Sequence, residues 1–309
     1  MTGLKNNLND TFLKLLVGDW HIDVNYGIQE FNKYMEKIEL IQNGATIFDM
    51  FNEQKEKSKR LCVVSASGAI KDVSSMSEIT EDSILELSFS GVMRDEDGLC
   101  SMGINSFNEQ LYNAYGNPNV KGILINLNSG GGQSSSGYNL QQAIADKNKP
   151  VVVRSSILAS AALNGALPAT EIIAASDAAQ IGSIGSYISL DLKAIKEYKE
   201  TILDIYSKVS PDKNAAFRDA IEGNYDKLTD YVTENAKMFQ DKVRQYLKLD
   251  QSKMLSTLSG GTFMAQDAKE RGLVHSVGSR QFAIKRIFSH IKYEMVLLSV
   301  LEILTLQAM

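Results

Sequence analysis

An α/β fold built from repeated β-α-β units is predicted by three features of this 309-residue chain. Between residues 84 and 206, short apolar runs alternate with longer stretches of helical spacing, the rhythm of parallel β-α-β units. The runs at 122–127, apolar but for Asn126, and at 151–153 read as strands buried on both faces. Turns rich in glycine or serine follow the ends of these runs, where chain reversal needs them.

Taken in order, residues 1–58 read as helical, with Phe12, Leu15, Leu16, Ile28, Phe31, Tyr34, Met35 and Ile38 at mixed three- and four-residue spacing. A serine-rich linker is expected at 71–77, and 84–90 alternates as a strand. Helices are expected at 106–115, 137–145 and 190–198, and strands at 122–127, 150–154, 172–175 and 202–206. Residues 214–248 read as mostly helical, and 265–271 with Leu273 and Val274 supply a last helix and strand. The expected organisation is a helical N-terminal appendage and linker over 1–78, a catalytic-sized core over 79–280, and a helical C-terminal tail over 281–309.

Composition excludes several classes of function. A net charge of -5 with dispersed Lys and Arg gives no footprint for nucleic acid or anionic membrane. Cys62 and Cys100 lie far apart with no metal-ligand spacing, so two reduced thiols and no metal site are expected. The N-terminus lacks the pattern of a secretory signal, which points to the cytoplasm. The apolar run at 295–304 is shorter than the ~20 residues a spanning helix needs. It reads as an amphipathic helix for a partner subunit, with an interfacial membrane helix as the weaker alternative.

The chemistry concentrates in three strand-end motifs. Gly130, Gly131 and Gly132 follow the apolar strand 122–127, at the sheet edge where active sites favour α/β folds. Without side chains, such residues let backbone N–H groups approach a developing oxyanion. A phosphate loop is disfavoured because no Gly-Lys-Ser/Thr follows. Ser160, in Ala159-Ser160-Ala161-Ala162, opens an expected helix, as either a cap or a nucleophile. Beside the glycine loop, the nucleophile is favoured over the cap, and Ser155 and Ser156 read as loop serines. His21, His275 and His290 lie far from the serine motif in sequence, which disfavours a Ser-His-Asp triad. A lysine with a depressed pKa can act instead. Lys213 is the best-placed candidate and Lys208 the runner-up, each with a solvated surface lysine as the bland alternative. Ser183, in the Gly182–Gly185 turn, could hydrogen-bond that amine, while Asp177 and Asp191 read as helix caps.

At these residues the chain resembles the signal-peptide-peptidase-A family of serine peptidases, which share the Clp protease/crotonase fold. That family carries N-S-P-G-G after a strand, a serine in an M-A-A-S-G-G-Y-like segment, a G-S-x-G turn and a lysine base. Here the turn begins 22 residues after the serine (182 − 160) and Lys213 follows it by 53 (213 − 160). The segment 263–274 looks like the family's closing block A-x-x-A-x-x-x-G-L-V, so the resemblance covers about residues 83–279. Gly130 replaces the family's proline, Ala161-Ala162-Leu163 replaces Gly-Gly-Tyr, His275 stands where an acid is usual, and the S-G-x-x-K string around the lysine is missing.

The resemblance implies a Ser-Lys dyad of Ser160 and Lys213, an oxyanion hole from Gly131 or Gly132 and Ala161, a supporting Ser183, and no cofactor. It implies a homo-oligomer acting on peptide or protein substrates, with Lys213 serving its own or a neighbour's serine. With no anchor segment recognised, it favours the phage head maturation type, cutting scaffold or other head proteins inside proheads, over a degradative signal-peptide-peptidase-like enzyme. A crotonase-like acyl-CoA enzyme and a non-catalytic scaffold protein are the rival expectations.

Overall fold

The computed structural model of the chain describes residues 19–22, 61–65, 68–98 and 101–307, with side chains described between 61 and 293. Its centre is a seven-stranded sheet. Strands β4 (Ser83–Ser90), β5 (Val120–Asn128), β7 (Val151–Ser155), β9 (Glu171–Ala174) and β13 (Ser276–Val277) are parallel, and β2 (Leu61–Ser65) and β3 (Ile70–Val73) extend it antiparallel beyond β4. The spatial order is β13-β9-β7-β5-β4-β2-β3.

Period-two alternation explains why these strands read as continuous apolar runs. Leu85, Leu87, Phe89, Ile123, Ile125, Leu127, Val151 and Val153 point to one face, where they meet Ile104, Phe107 and Leu111 of α1 (Ile104–Gly116) and Leu140 of α2 (Ser134–Ala145). Ile84, Leu124, Val152 and Ile173 point to the other, under Ala283, Ile284 and Ile287 of the long helix α9 (Arg280–Gln307). Each such side chain withdrawn from water contributes roughly 1.5–3 kcal/mol, so both faces are needed to hold the central strands. Gly122 lets α9 lie close, because a Cβ there would come within 2.4 Å of Ile287 Cγ2.

Two carboxylates rivet α9 to the sheet. Arg280 Nε donates to both Glu86 oxygens at 3.0 and 2.9 Å, and Asn126 Nδ2 donates to Glu86 Oε1 at 2.6 Å. Glu171 accepts from Arg286 Nε at 2.7 Å and Ser276 Oγ at 3.0 Å, and lies 2.9 Å from His290 Nε2. Burial pushes both carboxyl pKa values up, but these hydrogen bonds and charges outweigh it and hold them below the usual range.

Several sequence expectations need correction. Within the N-terminal stretch read as helical, Asp19–Ile22 is a strand, β1; the rest of 1–58 lies outside the described residues. The expected linker at 71–77 is strand up to Val73, where β3 pairs antiparallel with β2 at the sheet edge, then a short 3-10 turn over Met76–Glu78. Residues 202–206 form no strand. Among the described residues that segment has no sheet neighbour, and Ile202, Leu203 and Ile205 are exposed. The final strand falls at Ser276–Val277, not at Leu273 and Val274, which pack in the core. No described helix is long and apolar enough to cross a membrane.

Candidate active site

Three strand ends converge beside α2. After β5, Ser129 and Gly130 lead into β6 (Gly131–Gln133), which runs straight into α2. Strand β8 (Ile157–Ala159) ends at Ser160, which opens the short helix α3 (Ala161–Ala166). Strand β10 (Gln180–Gly182) lies parallel to β8, with Gly182 opposite Ala159, and β12 (Thr262–Met264) closes its other edge.

Backbone hydrogen bonds set the glycine loop and the serine level with each other. The Ser129 N–H donates to the Ile157 carbonyl at 2.8 Å, and the Ala159 N–H donates to the Ser129 carbonyl at 3.1 Å, so Ser129 pairs in parallel with Leu158. Two residues further along each segment stand Gly131 and Ser160. From the other side, the Ser160 N–H donates to the Gly182 carbonyl at 2.9 Å.

Ser160 has φ 56° and ψ −124°, a conformation that side-chain-bearing residues avoid. Such a residue costs on the order of 1–3 kcal/mol and persists only where its surroundings impose it. Its side chain makes no capping hydrogen bond to α3, so the cap alternative is not realised. Ala161 supplies the first N–H of that helix, which no carbonyl of the preceding turn can take.

The glycine loop is held by Met93, which no sequence pattern singled out. The Met93 N–H donates to the Gly131 carbonyl and the Gln133 N–H donates to the Met93 carbonyl, both at 2.9 Å. A Cβ on Gly132 would fall 2.0 Å from the Met93 carbonyl oxygen, so this close approach needs glycine. Gly131 (φ 106°) gives its N–H to Ser129 Oγ at 3.0 Å. Because strand residues alternate in direction, Gly132 presents its N–H and carbonyl to the opposite edge. Asp95, also unforeseen, ties this loop to α2, accepting from Ser135 Oγ at 2.5 Å, Ser136 Oγ at 3.1 Å and Asn139 Nδ2 at 2.9 Å. The three serines opening α2, with no acid in its first turn, were the available signal.

The other candidates are distributed as follows. Ser183 (φ 55°) adjoins the site, its N–H donating to the Gly261 carbonyl at 2.8 Å. Lys213 and Lys208 are exposed, on the segment between α4 (Leu192–Thr201) and α5 (Ala215–Ile221), and among the described residues no hydrogen bond or ion pair joins either to Ser160. His275 is structural: its Nδ1 accepts from the Ile172 N–H at 3.0 Å, and partial desolvation of the ring lowers its pKa although the residue is exposed. His290 is engaged with Glu171. Asp191 caps α4 as expected, accepting from the N–H groups of Lys193 and Ala194. Asp177 instead accepts from Gln266 Nε2 at 2.9 Å and caps no helix. Ser155, the last residue of β7, is buried, and Ser156, between β7 and β8, is exposed. Among the described residues no cluster of His, Cys, Asp or Glu could hold a metal ion.

Comparison with known proteins returns one curated relative and several solved folds. A Methanocaldococcus jannaschii protein described as "Putative protease MJ0651" is 29% identical over 175 residues, 54% of this chain and 55% of that protein. The chain thus spans about half the length of this relative. Among solved structures, a mutant of the 1510-N membrane-bound stomatin-specific protease aligns at 13% identity over 67% of this chain and 85% of that one, with a TM-score of 0.41. A ClpP1 mutant from Listeria monocytogenes aligns at 15% identity over 64% and 93%, with a TM-score of 0.42. Residues 143–293, a stretch that takes in Ser160, the Gly182–Gly185 turn and Lys213 but begins after the glycine loop, match Peptidase family S49.

Proposed function

We propose that this chain is a serine endopeptidase in which Ser160 is the nucleophile and Lys213 the base. Ser160 Oγ attacks a peptide carbonyl and its proton passes to the neutral lysine amine. The oxyanion is received by the N–H of Gly131 or Gly132 and that of Ala161. Of the two, Gly131 donates to Ser129 Oγ and Gly132 stands opposite His21 of β1, so binding of the oxyanion would replace one of these partners. The lysine returns the proton to the leaving amine, and water then releases the acyl group from Ser160. The observation that carries this reading is the strained, buried Ser160 held level with a glycine strand at the meeting point of three strand ends.

Lys213 serves this chemistry from a neighbouring copy. It sits on a segment whose Leu203, Ile205 and Val209 are 85–90% exposed, an apolar surface that a homo-oligomer would cover. Mixing Ser160→Ala with Lys213→Ala protein tests this, since mixed assemblies restore intact pairs and activity returns. Loss of activity in Lys208→Ala with none in Lys213→Ala would move the base to Lys208. In its finer form the reading is a phage head maturation protease acting on scaffold or other head proteins, supported by the segments flanking the core, among them α9. Incubation with prohead scaffold protein and peptide mapping tests it. A Ser160 protein with no cleavage of any protein substrate would favour the scaffold alternative.

A further inference from the structure

Helix α3 carries Ser160 at its head but is only six residues long, so its place is set from outside, chiefly by α2. Two glycines bring these helices together. A Cβ on Gly137 of α2 would stand 2.9 Å from the Ala161 carbonyl oxygen, and one on Gly165 of α3 would stand 2.7 Å from Leu140 Cδ2. One turn along α2 from Gly137, and next in sequence to Gly165, two amide side chains are buried against each other: Gln141 is 6% exposed and Asn164 0%. Gln141 Nε2 donates to Asn164 Oδ1 at 2.8 Å and to the Asn164 main-chain carbonyl at 3.1 Å. The Asn164 N–H in turn donates to the Ser160 carbonyl at 3.0 Å, and the Ser160 N–H to the Gly182 carbonyl at 2.9 Å. A line of hydrogen bonds thus leads from Gln141 to the candidate nucleophile.

Such a pair is a poor way to stabilise a fold. Buried amides exchange hydration for bonds of small net worth, and apolar side chains of the same shape can replace both partners with little loss. Among the described residues Asn164 Nδ2 has no partner, which is a further cost. What the amide adds is direction, since a hydrogen bond selects one register of α3 along α2 where apolar packing alone selects less sharply. That register sets where Ser160 Oγ and the Ala161 N–H stand, and a misplacement of about 1 Å can cost on the order of a hundredfold in rate. We infer that Gln141 is a positioning residue of the peptidase, holding Ser160 and Ala161 in register through the main-chain carbonyl of Asn164. This rests on the peptidase reading above. Gln141 acts only through α3 and takes no part in proton transfer.

The test compares the unmodified protein with Gln141→Met, Asn164→Leu and the double variant. Labelled casein is the substrate, urea unfolding reports stability, and a fluorophosphonate probe counts reactive Ser160, with Ser160→Ala as the blank. The double variant replaces both amides by apolar side chains of similar volume, so it should unfold at the same urea concentration as the unmodified protein or a higher one. Its kcat per labelled serine should nevertheless fall about ten- to a hundredfold, with KM within about twofold, because only the reacting groups are displaced. A merely structural pair would lower the number of labelled serines and leave kcat per serine as it was. Asn164→Leu keeps the Gln141 bond to the main-chain carbonyl and should stay within about threefold of the unmodified kcat, whereas Gln141→Met should match the double variant. These two single variants decide the matter should the double variant misfold. Full kcat per serine in Gln141→Met, or equal losses in the two single variants, would overturn the inference and leave the peptidase reading standing. Neither casein cleavage nor labelling of Ser160 in the unmodified protein would overturn both.

Discussion

If Ser160 is held in a strained conformation for the sake of its chemistry, replacing it with glycine should relieve strain that alanine leaves in place. At φ 56° and ψ −124° the strain is about 2 kcal/mol, the middle of the range for such residues. Going from alanine to glycine there also loses about 0.8 kcal/mol of buried carbon and roughly 0.7 kcal/mol to the freer unfolded chain. The balance leaves Ser160→Gly more stable than Ser160→Ala by about 0.5 kcal/mol. The neighbouring Ala162, fully buried in α3, supplies the control. There the same change relieves no strain and should cost about 1.5–2 kcal/mol from lost burial and helix propensity. Urea unfolding of Ser160→Ala, Ser160→Gly and Ala162→Gly measures both terms, and the difference of about 2 kcal/mol between the sites is the strain. Equal costs at the two positions would refute the argument. Both Ser160 variants should be inactive, so a gain in stability would accompany a loss of function.

The remaining expectations are more local. Gly132→Ala drives a Cβ to within 2.0 Å of the Met93 carbonyl oxygen, so the loop must move; peptidase activity should fall at least 100-fold, with about 1–3 kcal/mol of stability lost in urea unfolding. Partial desolvation of the ring, in a residue that is otherwise exposed, holds the His275 pKa below its ordinary 6.5, so as pH falls through 6.5 the unfolded chain takes up a proton more readily than the folded chain. Stability should therefore drop with pH below about 6.5, and His275→Asn, which keeps an acceptor for the Ile172 N–H without titrating, should flatten that part of the Tm profile. Arg280→Ala leaves Glu86, whose side chain is 9% exposed, without its guanidinium, at a cost of about 2 kcal/mol after allowance for the partly exposed arginine. The Glu86 pKa is held low in the fold, so this contribution is present at neutral pH and lost as pH falls below about 4.5, which acid titration of the two proteins would show.

What could be read from sequence depended on whether a residue's partner was local. The runs at 122–127 and 151–153 declared themselves as buried parallel strands because both faces of each are covered, by α1 and α2 on one side and α9 on the other. Ser160 and the glycine loop were legible because each sits at a strand end, and strand ends follow from apolar runs. By contrast, β6, β8, β10 and β11 (Tyr187–Ile188) span only two or three residues each, too short for any periodicity to register. Met93 acts through its backbone, which no side-chain pattern reports, and Asp95 acts across forty residues of sequence to a serine cluster. The segment at 202–206 misled for the opposite reason. Its alternating apolar residues satisfy the pattern of a strand, yet among the described residues no neighbouring strand completes it. Under the proposed assembly, a neighbouring copy would cover these side chains. The same segment leads to Lys213, the one member of the proposed dyad that the single chain leaves away from Ser160. The missing packing and the missing base are thus one question, and an assembly that buries Leu203, Ile205 and Val209 would answer both.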